Sequence, residues 1–217
     1  MKTSFAKIFT WMIIAVLLAA PATGMAQSHK ARKATNAEQA RAIFNRVFNR
    51  VFGAEGCRLG YSVNIIGLYK TAGNVTMKGK KSHYTEKRYL GWMDGNTLWR
   101  VDTKKKAVDI FDMTKENKDN LLSRFKFDIN KFTYSWENAS EGLVINVDAP
   151  SASSGIRHAK IVLDRKTEAP LALKIKVAFF WTTVKLSGFR TGGINDREFV
   201  FPRQRFKGYD FNDRRNE

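Results

Sequence analysis

Large apolar side chains occupy every odd position between residues 171 and 181. These positions are Leu171, Leu173, Ile175, Val177, Phe179 and Trp181. Strict alternation places all six side chains on one face of a β-strand. No Gly, Pro, Asn or Asp interrupts residues 171–187, so the segment is either one very long strand or two strands joined at an unmarked bend or bulge. An apolar face of this length must pack against a core, a partner or a ligand.

The N-terminus has the pattern of a secretory signal peptide. Lys2 and Lys7 give it a positive start, residues 11–20 are all apolar, and Gly24-Met25-Ala26 supplies small residues at the two positions that a signal peptidase reads. An apolar run of this length is too short to span a bilayer. We therefore expect residues 1–26 to be cleaved and residues 27–34 to form a flexible basic arm at the start of an exported protein.

The chain is strongly basic and contains a single cysteine. It has 38 Lys and Arg against 20 Asp and Glu, a formal net charge of +18. Such a charge favours association with an anionic membrane surface or an acidic envelope protein. Cys57 alone allows neither an internal disulfide nor a cysteine metal cluster. An exported protein without disulfides fits the bacterial envelope, so we expect a periplasmic location.

A first helix is predicted to begin after Thr35. Glu38 follows Thr35 at the spacing of a capping box, and Gly53 ends the pattern. Apolar residues recur at intervals of three and four at Ala37, Ala40, Ile43, Phe44, Val47, Phe48, Val51 and Phe52. Three roles are open for this amphipathic helix. It could pack on a sheet as part of the core, form a lid over an apolar groove, or lie on a membrane surface.

From Arg58 onward the apolar period changes to two, which predicts about nine to eleven short strands in hairpin order. Asp94-Gly95 is the strongest turn signal, and a second, shorter helix is predicted from Thr114 to Phe125. Because the helices do not alternate regularly with the strands, a parallel α/β sheet is disfavoured. The fold class expected is mainly β (α+β): a strongly curved antiparallel half-barrel whose concave face two helices cover. One domain spans residues 35–211, and residues 212–217 form a solvated tail.

Residues typical of catalysis or metal binding do not form a recognisable pattern. His29, His83 and His158 stand at no metal-ligand spacing, and the chain lacks a Gly-x-Ser-x-Gly sequence. It also lacks a known nucleic-acid-binding module. We therefore expect no catalytic residues, no cofactor, no metal and no nucleic-acid partner.

Two stretches resemble the LolA family of periplasmic lipoprotein carriers. The first runs from Trp92-Met93-Asp94-Gly95 to Asp102 and continues through a basic tip to Val108-Asp109-Ile110; it is similar to an Asp-Gly hairpin that leads into a strand with an aromatic residue before an acidic turn. The second combines Phe199-Val200-Phe201 with Lys207-Gly208-Tyr209-Asp210 and looks like the family's closing strand and tail. Thr103 stands where the family often has proline, and residues 171–187 lack the expected hairpin turn.

The resemblance implies a half-open curved sheet with a cavity for acyl chains, and a shuttle between the inner and outer membranes. The partners would be lipid acyl chains or lipoproteins, bound by a monomer, and each buried methylene would contribute about 0.8 kcal/mol. The residues predicted to line the groove are Phe44, Val47, Phe48, Phe52, Trp99, Leu173, Ile175, Val177 and Phe179. The alternatives are a non-catalytic binding or structural protein of the envelope, with a filled core and a basic docking surface, and an exported enzyme.

Overall fold

The computed structural model describes residues 34–65, 69–114, 131–149, 158–177 and 180–216. These residues form one α-helix, two short 3₁₀ helices and twelve strands of a single sheet. The helices are α1 (Asn36–Phe52) and the 3₁₀ turns Asp196–Phe199 and Arg203–Phe206. The strands are β1 (Cys57–Ile65), β2 (Tyr69–Lys78), β3 (Lys81–Glu86), β4 (Tyr89–Met93), β5 (Thr97–Asp102), β6 (Ala107–Asp112), β7 (Thr133–Ala139), β8 (Gly142–Asp148), β9 (His158–Leu163), β10 (Pro170–Val177), β11 (Phe180–Thr191) and β12 (Asp210–Asp213).

The sheet has the order β12-β6-β5-β4-β3-β2-β1-β11-β10-β9-β8-β7. Neighbouring strands are antiparallel, apart from β12, which pairs in parallel with β6. Two runs of sequential hairpins therefore meet where β1 pairs with β11. The predicted mainly β, curved and unclosed antiparallel sheet is confirmed; the described residues contain one strand more than the upper estimate.

The segment that alternates from residue 171 forms two strands, β10 and β11. Val177 is the cross-strand neighbour of Phe180, so only two residues connect the strands. Because of this short connection, the core-facing positions change from odd to even. Leu173 and Ile175 face the core in β10, whereas Thr182 and Val184 face it in β11. The prediction of one shared face is therefore wrong for Trp181, which lies opposite Lys176. It is also wrong for Leu171, which an irregularity in the pairing between Pro170 and Ala172 leaves exposed.

Helix α1 lies across the concave face and ties its strands together. At its start, Asn36 accepts from the Trp136 amide of β7 at 2.9 Å and donates to the Trp136 carbonyl at 2.9 Å. At its end, the Phe52 carbonyl accepts from the Gly79 amide, beyond β2, at 3.0 Å. Six strand spacings separate β2 from β7, about 29 Å in a flat sheet, and one helix of 17 residues reaches both because the sheet curves around it.

The predicted capping box of α1 is confirmed. The Glu38 amide donates to Thr35 Oγ1 at 3.2 Å, and the Thr35 amide donates to Glu38 Oε2 at 2.7 Å. The second predicted helix falls almost entirely within residues 115–130, which lie outside the described residues, as do the predicted signal peptide and all but the last residue of the basic arm.

The C-terminal segment, residues 195–211, covers the convex face of β4, β5 and β6. Phe206 packs there in a cluster with Trp92, Val101, Val108 and Ile110. The segment is held by ion pairs: Asp196 binds Lys78 and Lys81 at 2.8 Å each, and Glu198 binds Arg58 at 2.6 Å. Strand β12 follows this segment and pairs with β6 as far as Asp213.

Candidate functional site

The candidate site is the concave apolar face between α1 and the strands β1, β11, β10, β9 and β8. One row of aliphatic neighbours crosses these five strands: Val63, Val184, Leu173, Ile161 and Ile145. All are buried except Ile161, which is half-buried. The row is continuous because each of the five strands places one aliphatic side chain at this register position on its concave side.

Helix α1 carries three phenylalanines on one face, and Phe44 and Phe52 pack against the buried cluster that contains this row. Phe44, Phe48 and Phe52 are four residues apart and therefore share one helix face. The Phe44 and Phe48 ring centroids are 5.8 Å apart, and those of Phe48 and Phe52 are 4.8 Å apart. Phe44 also lies 5.0 Å from the ring of Tyr134 in β7. The helix and the sheet thus form two apolar walls of one site.

The structure brings together most of the residues that the sequence predicts for the groove. Val47, Leu173 and Ile175 are buried in the concave cluster, and Phe44 and Phe52 are half-buried against it. Phe48 is buried between the rings of Phe44 and Phe52. The Val177 side chain and Phe179 lie outside the described residues. The proposed role of these side chains in ligand binding stays a prediction.

Trp99 does not join the other predicted residues. Cross-strand neighbours lie on the same face of the sheet, and Arg100 pairs with Gly91, which pairs with Tyr84 of the concave core. Arg100 is therefore on the concave side. Trp99 comes one residue earlier and points to the convex side. There its ring stacks on Phe201, with 5.6 Å between centroids. The sequence does not reveal this because the apolar side of β5, which carries Trp99 and Val101, is the convex side, where the C-terminal segment covers it.

A set of half-buried apolar residues surrounds the buried row, and the groove prediction did not include most of them. Besides Phe44 they are Phe132, Ile161, Leu186 and Phe189. They pack against the core but keep part of their apolar surface accessible. Leu186 follows from extending the alternation of β11 beyond Val184; the partial exposure of the others depends on sheet curvature, which has no local sequence signal.

One buried side-chain oxygen of α1, Asn45 Oδ1, has no hydrogen-bond partner among the residues that the structure describes. Its position in the sequence is between Phe44 and Phe48. Buried polar atoms are normally paired, so a ligand with an N–H or O–H donor would satisfy this one.

Tyr61 and Glu86 place a hydrogen-bonded polar pair on the same face of β1 and β3. The Tyr61 hydroxyl donates to Glu86 Oε1 at 2.7 Å. Burial raises the pKa of Glu86, because the ionised carboxylate loses water, while hydrogen bonds from Tyr61 and Thr71 partly oppose the shift. The concave side therefore holds a carboxyl group that resists ionisation.

We expect Glu86→Gln to make the protein more stable than the wild type at pH 8 and equally stable at pH 4. The folded-state pKa of Glu86 is raised, so its favourable contribution is complete below the unfolded pKa of about 4.3 and is lost as the pH rises through the folded pKa. Glutamine stays neutral and can still accept from Tyr61. Urea unfolding at both pH values tests this; a variant that is less stable at pH 8 would contradict it.

Gly73 is required for the Tyr61–Glu86 contact. A Cβ at this position would lie 2.4 Å from the Thr85 carbonyl oxygen and 3.0 Å from both Tyr61 Oη and Glu86 Cγ. We expect Gly73→Ala to cost about 1–3 kcal/mol of unfolding free energy, measured by urea denaturation. Ala72→Ser, on the exposed convex side, is the matched control and should change little. Equal stability of the two variants would show that the contact tolerates a shifted strand.

Other charged groups around the sheet form structural pairs. Burial opposes ionisation of Asp102, but hydrogen bonds from Arg88 and from two backbone amides outweigh it and lower the Asp102 pKa. Burial alone raises the pKa of the Cys57 thiol to about 12. Among the described residues, no three His, Cys, Asp or Glu side chains are grouped closely enough to hold a metal ion. None of the helices in the described ranges is long and apolar enough to cross a membrane.

No protein-family model matches the sequence, and no curated protein matches it. Solved structures do resemble the fold. A conserved uncharacterised protein of Thermus thermophilus has 11% identity and a TM-score of 0.57, with 81% of this chain and 99% of that chain covered.

Two further solved structures are similar at lower scores. A domain of an outer membrane lipoprotein-sorting protein from Vibrio parahaemolyticus has 12% identity and a TM-score of 0.43, covering 79% of this chain and 100% of its own. A LolA superfamily protein from Nitrosomonas europaea has 10% identity and a TM-score of 0.39, covering 75% and 97%. At these identities the likeness concerns the fold alone. The curved, unclosed antiparallel sheet with α1 on its concave side agrees with the half-open curved sheet that the sequence resemblance implies.

Proposed function

We propose that the protein is a periplasmic carrier that binds acyl chains of lipoproteins, or of another lipid, on its concave apolar face and moves them toward the outer membrane. The observation that carries the proposal is the set of half-buried apolar residues around the buried aliphatic row, among them Phe44, Ile161 and Leu186. They offer an accessible apolar lining inside a sheet that does not close.

Burial of hydrocarbon supplies enough free energy for such a role. About eight methylenes placed against this lining would contribute about 6 kcal/mol before the cost of association. Asn45 Oδ1 would accept a hydrogen bond from an amide N–H of an N-acylated ligand. Binding would therefore combine non-specific apolar contact with one polar contact near α1.

Release requires a state of the protein that binds the acyl chain less well. Helix α1 is the element that we propose changes position. Buried Val47 and Val51 pack it on the sheet, whereas only exposed polar contacts hold its C-terminal half to the β9–β10 turn. Arg46 pairs with Glu168 at 2.6 Å, and Arg50 donates to the Thr167 carbonyl at 2.8 Å. Exposed pairs of this kind contribute about 1 kcal/mol or less each, so a docking partner can displace them at small cost.

Mass spectrometry of lipid extracted from the purified protein tests the proposal. The protein is isolated from the bacterial envelope without detergent, extracted with organic solvent, and compared with the same amount of an exported β-protein of similar charge. We expect acyl lipid in near-stoichiometric amount in the first sample only. Absence of lipid, together with failure of the protein to bind a palmitoylated peptide, would contradict acyl-chain carriage.

The alternative is a non-catalytic envelope protein with a filled core, and one observation favours it. Ile145, Leu163, Ile175 and Val184 are each exposed by 1% or less, so protein side chains already fill the centre of the concave face. In this alternative the half-buried apolar residues are simply the edge of the hydrophobic core, which we call the rim, and the protein acts through its basic surface. Retention of no lipid, with full binding to an acidic envelope protein, would support it.

A further inference from the structure

A tryptophan is exposed on the convex side of the sheet, among lysines. Three large apolar side chains are exposed in the part of the chain that the structure describes: Leu171 by 40%, Trp181 by 44% and Val200 by 65%. Trp181 is the only aromatic residue of the three. It lies at the start of β11, and Lys160 of β9 places its Nζ 5.8 Å from the Trp181 ring centroid.

Four lysines on three adjacent strands share this side of the sheet. Lys176 is the cross-strand neighbour of Trp181, and Lys174 is the neighbour of both Lys160 and Thr183. Lys185, two positions beyond Thr183, points the same way. We call Lys160, Lys174, Lys176, Lys185 and Trp181 the Trp181 patch.

Acidic side chains offset only part of the patch charge. Lys174 pairs with Glu141 at 2.5 Å, and Lys160 approaches Glu137 at 3.8 Å. Lys176 and Lys185 have no acidic partner among the residues that the structure describes. The patch therefore keeps unpaired positive charge beside an exposed indole.

A shallow groove begins at the edge of the Trp181 patch. Its volume is about 630 Å³, and its lining consists of Gly60, Tyr61, Ser62, Ala72, Gly73, Asn74, Lys185, Leu186 and Ser187. Lys185 supplies the positive charge of this mixed apolar and polar lining, and the hydroxyl groups of Ser62 and Ser187 can donate hydrogen bonds to an anionic head group.

We propose that the Trp181 patch is a docking surface for an anionic lipid bilayer. Tryptophan is suited to the membrane interface because its ring is apolar and its N–H is polar. Lysines near a negatively charged leaflet add attraction that falls off within a Debye length. Trp181 and Lys176 lie near the β10–β11 ends of their strands, and the other three lysines lie further along β9, β10 and β11. The indole is 44% exposed, so part of its ring is available to a membrane interface.

This docking surface is independent of acyl-chain binding and lies on the opposite face of the sheet. Experiments can therefore disprove the docking surface without disproving the acyl-chain site, and the reverse. A protein that binds a palmitoylated peptide but no vesicles retains the carrier role and loses the docking surface. A protein that binds vesicles but no acyl chain does the reverse.

Flotation with lipid vesicles tests the docking surface. The full mature chain is mixed at low salt with vesicles of phosphatidylcholine containing phosphatidylglycerol, or of phosphatidylcholine alone. We expect binding to the first only, weakened by added salt. The paired substitution Lys176→Glu with Lys185→Glu changes the charge by four units and should reduce binding roughly 1,000-fold, and Trp181→Ala should reduce it about tenfold.

The matched control is Lys104→Glu with Lys105→Glu, which makes the same change of charge at the exposed β5–β6 turn. We expect this control to lose much less binding than the patch variant. Equal losses would overturn the proposal, because net charge alone would then drive binding. It would also be overturned if the wild type bound poly-glutamate as tightly as the vesicles and Trp181→Ala changed neither, since the patch would then be a site for acidic polymers.

Discussion

Leu186→Asp is expected to weaken acyl-chain binding about 100-fold, a loss of about 2.8 kcal/mol. Leu186 is half-buried on the concave side, where its cross-strand neighbour is Tyr61. An alkyl chain bound against residue 186 would strip water from the new carboxylate, and removing water from an unpaired charge costs several kcal/mol. Titration with a palmitoylated, net-neutral peptide measures the loss without interference from the basic surface.

Ser187→Asp is the matched control for this substitution. It adds the same charge at the next position of the strand, on the convex side. We expect the Ser187 variant to bind the peptide as the wild type does, and both variants to unfold cooperatively. Unchanged binding by a folded Leu186→Asp variant would place the acyl chain elsewhere.

Phe206→Ala is expected to lower the unfolding free energy by about 3–5 kcal/mol. Phe206 is buried, and its ring centroid lies 5.4 Å from Phe201, 5.7 Å from Trp92 and 5.3 Å from Tyr209. Its removal leaves a cavity in the cluster that joins the C-terminal segment to the convex face. Urea unfolding measures the effect, and acyl-chain binding on the opposite face should persist under native conditions.

Val200→Ala provides the comparison within the same segment. Val200 is 65% exposed, and a substitution there should change stability by about 0.5 kcal/mol or less. If Phe206→Ala also cost less than about 1 kcal/mol, the C-terminal segment would not belong to the cooperative unit of the sheet.

Local signals in the sequence identified most of the individual elements. The Thr35–Glu38 capping box fixes the start of α1, and the Asp94-Gly95 turn separates β4 from β5. Period-two alternation finds strands such as β1 and β10 because each has one side in the core.

Features that depend on contacts between distant segments were not predictable in this way. The reversal of facing at Trp181 follows from a two-residue connection that has no glycine, proline, asparagine or aspartate to mark it. Trp99 faces the convex side because the C-terminal segment covers that side, which the sequence around residue 99 does not indicate. Likewise, Asp196 meets Lys78 and Lys81 from more than a hundred residues away.

The candidate site was predicted as a set of apolar residues, and its geometry came from the structure. Leu173, which belongs to the row across the sheet, and Ile175 are both buried, so they are less suited to touch a ligand than the half-buried Ile161 and Leu186. Which residues belong to the rim depends on how sharply the sheet curves around α1.

Photolabelling with a palmitoylated peptide that carries a diazirine at the end of its acyl chain tests the central claim most directly. The adducts are mapped by mass spectrometry, with excess unlabelled lipopeptide as competitor. We predict competed adducts on the concave side, at residues such as Phe44, Ile161 and Leu186. Adducts confined to convex residues such as Trp99 and Val200, or labelling that the competitor does not reduce, would contradict the claim that the concave face holds an acyl chain.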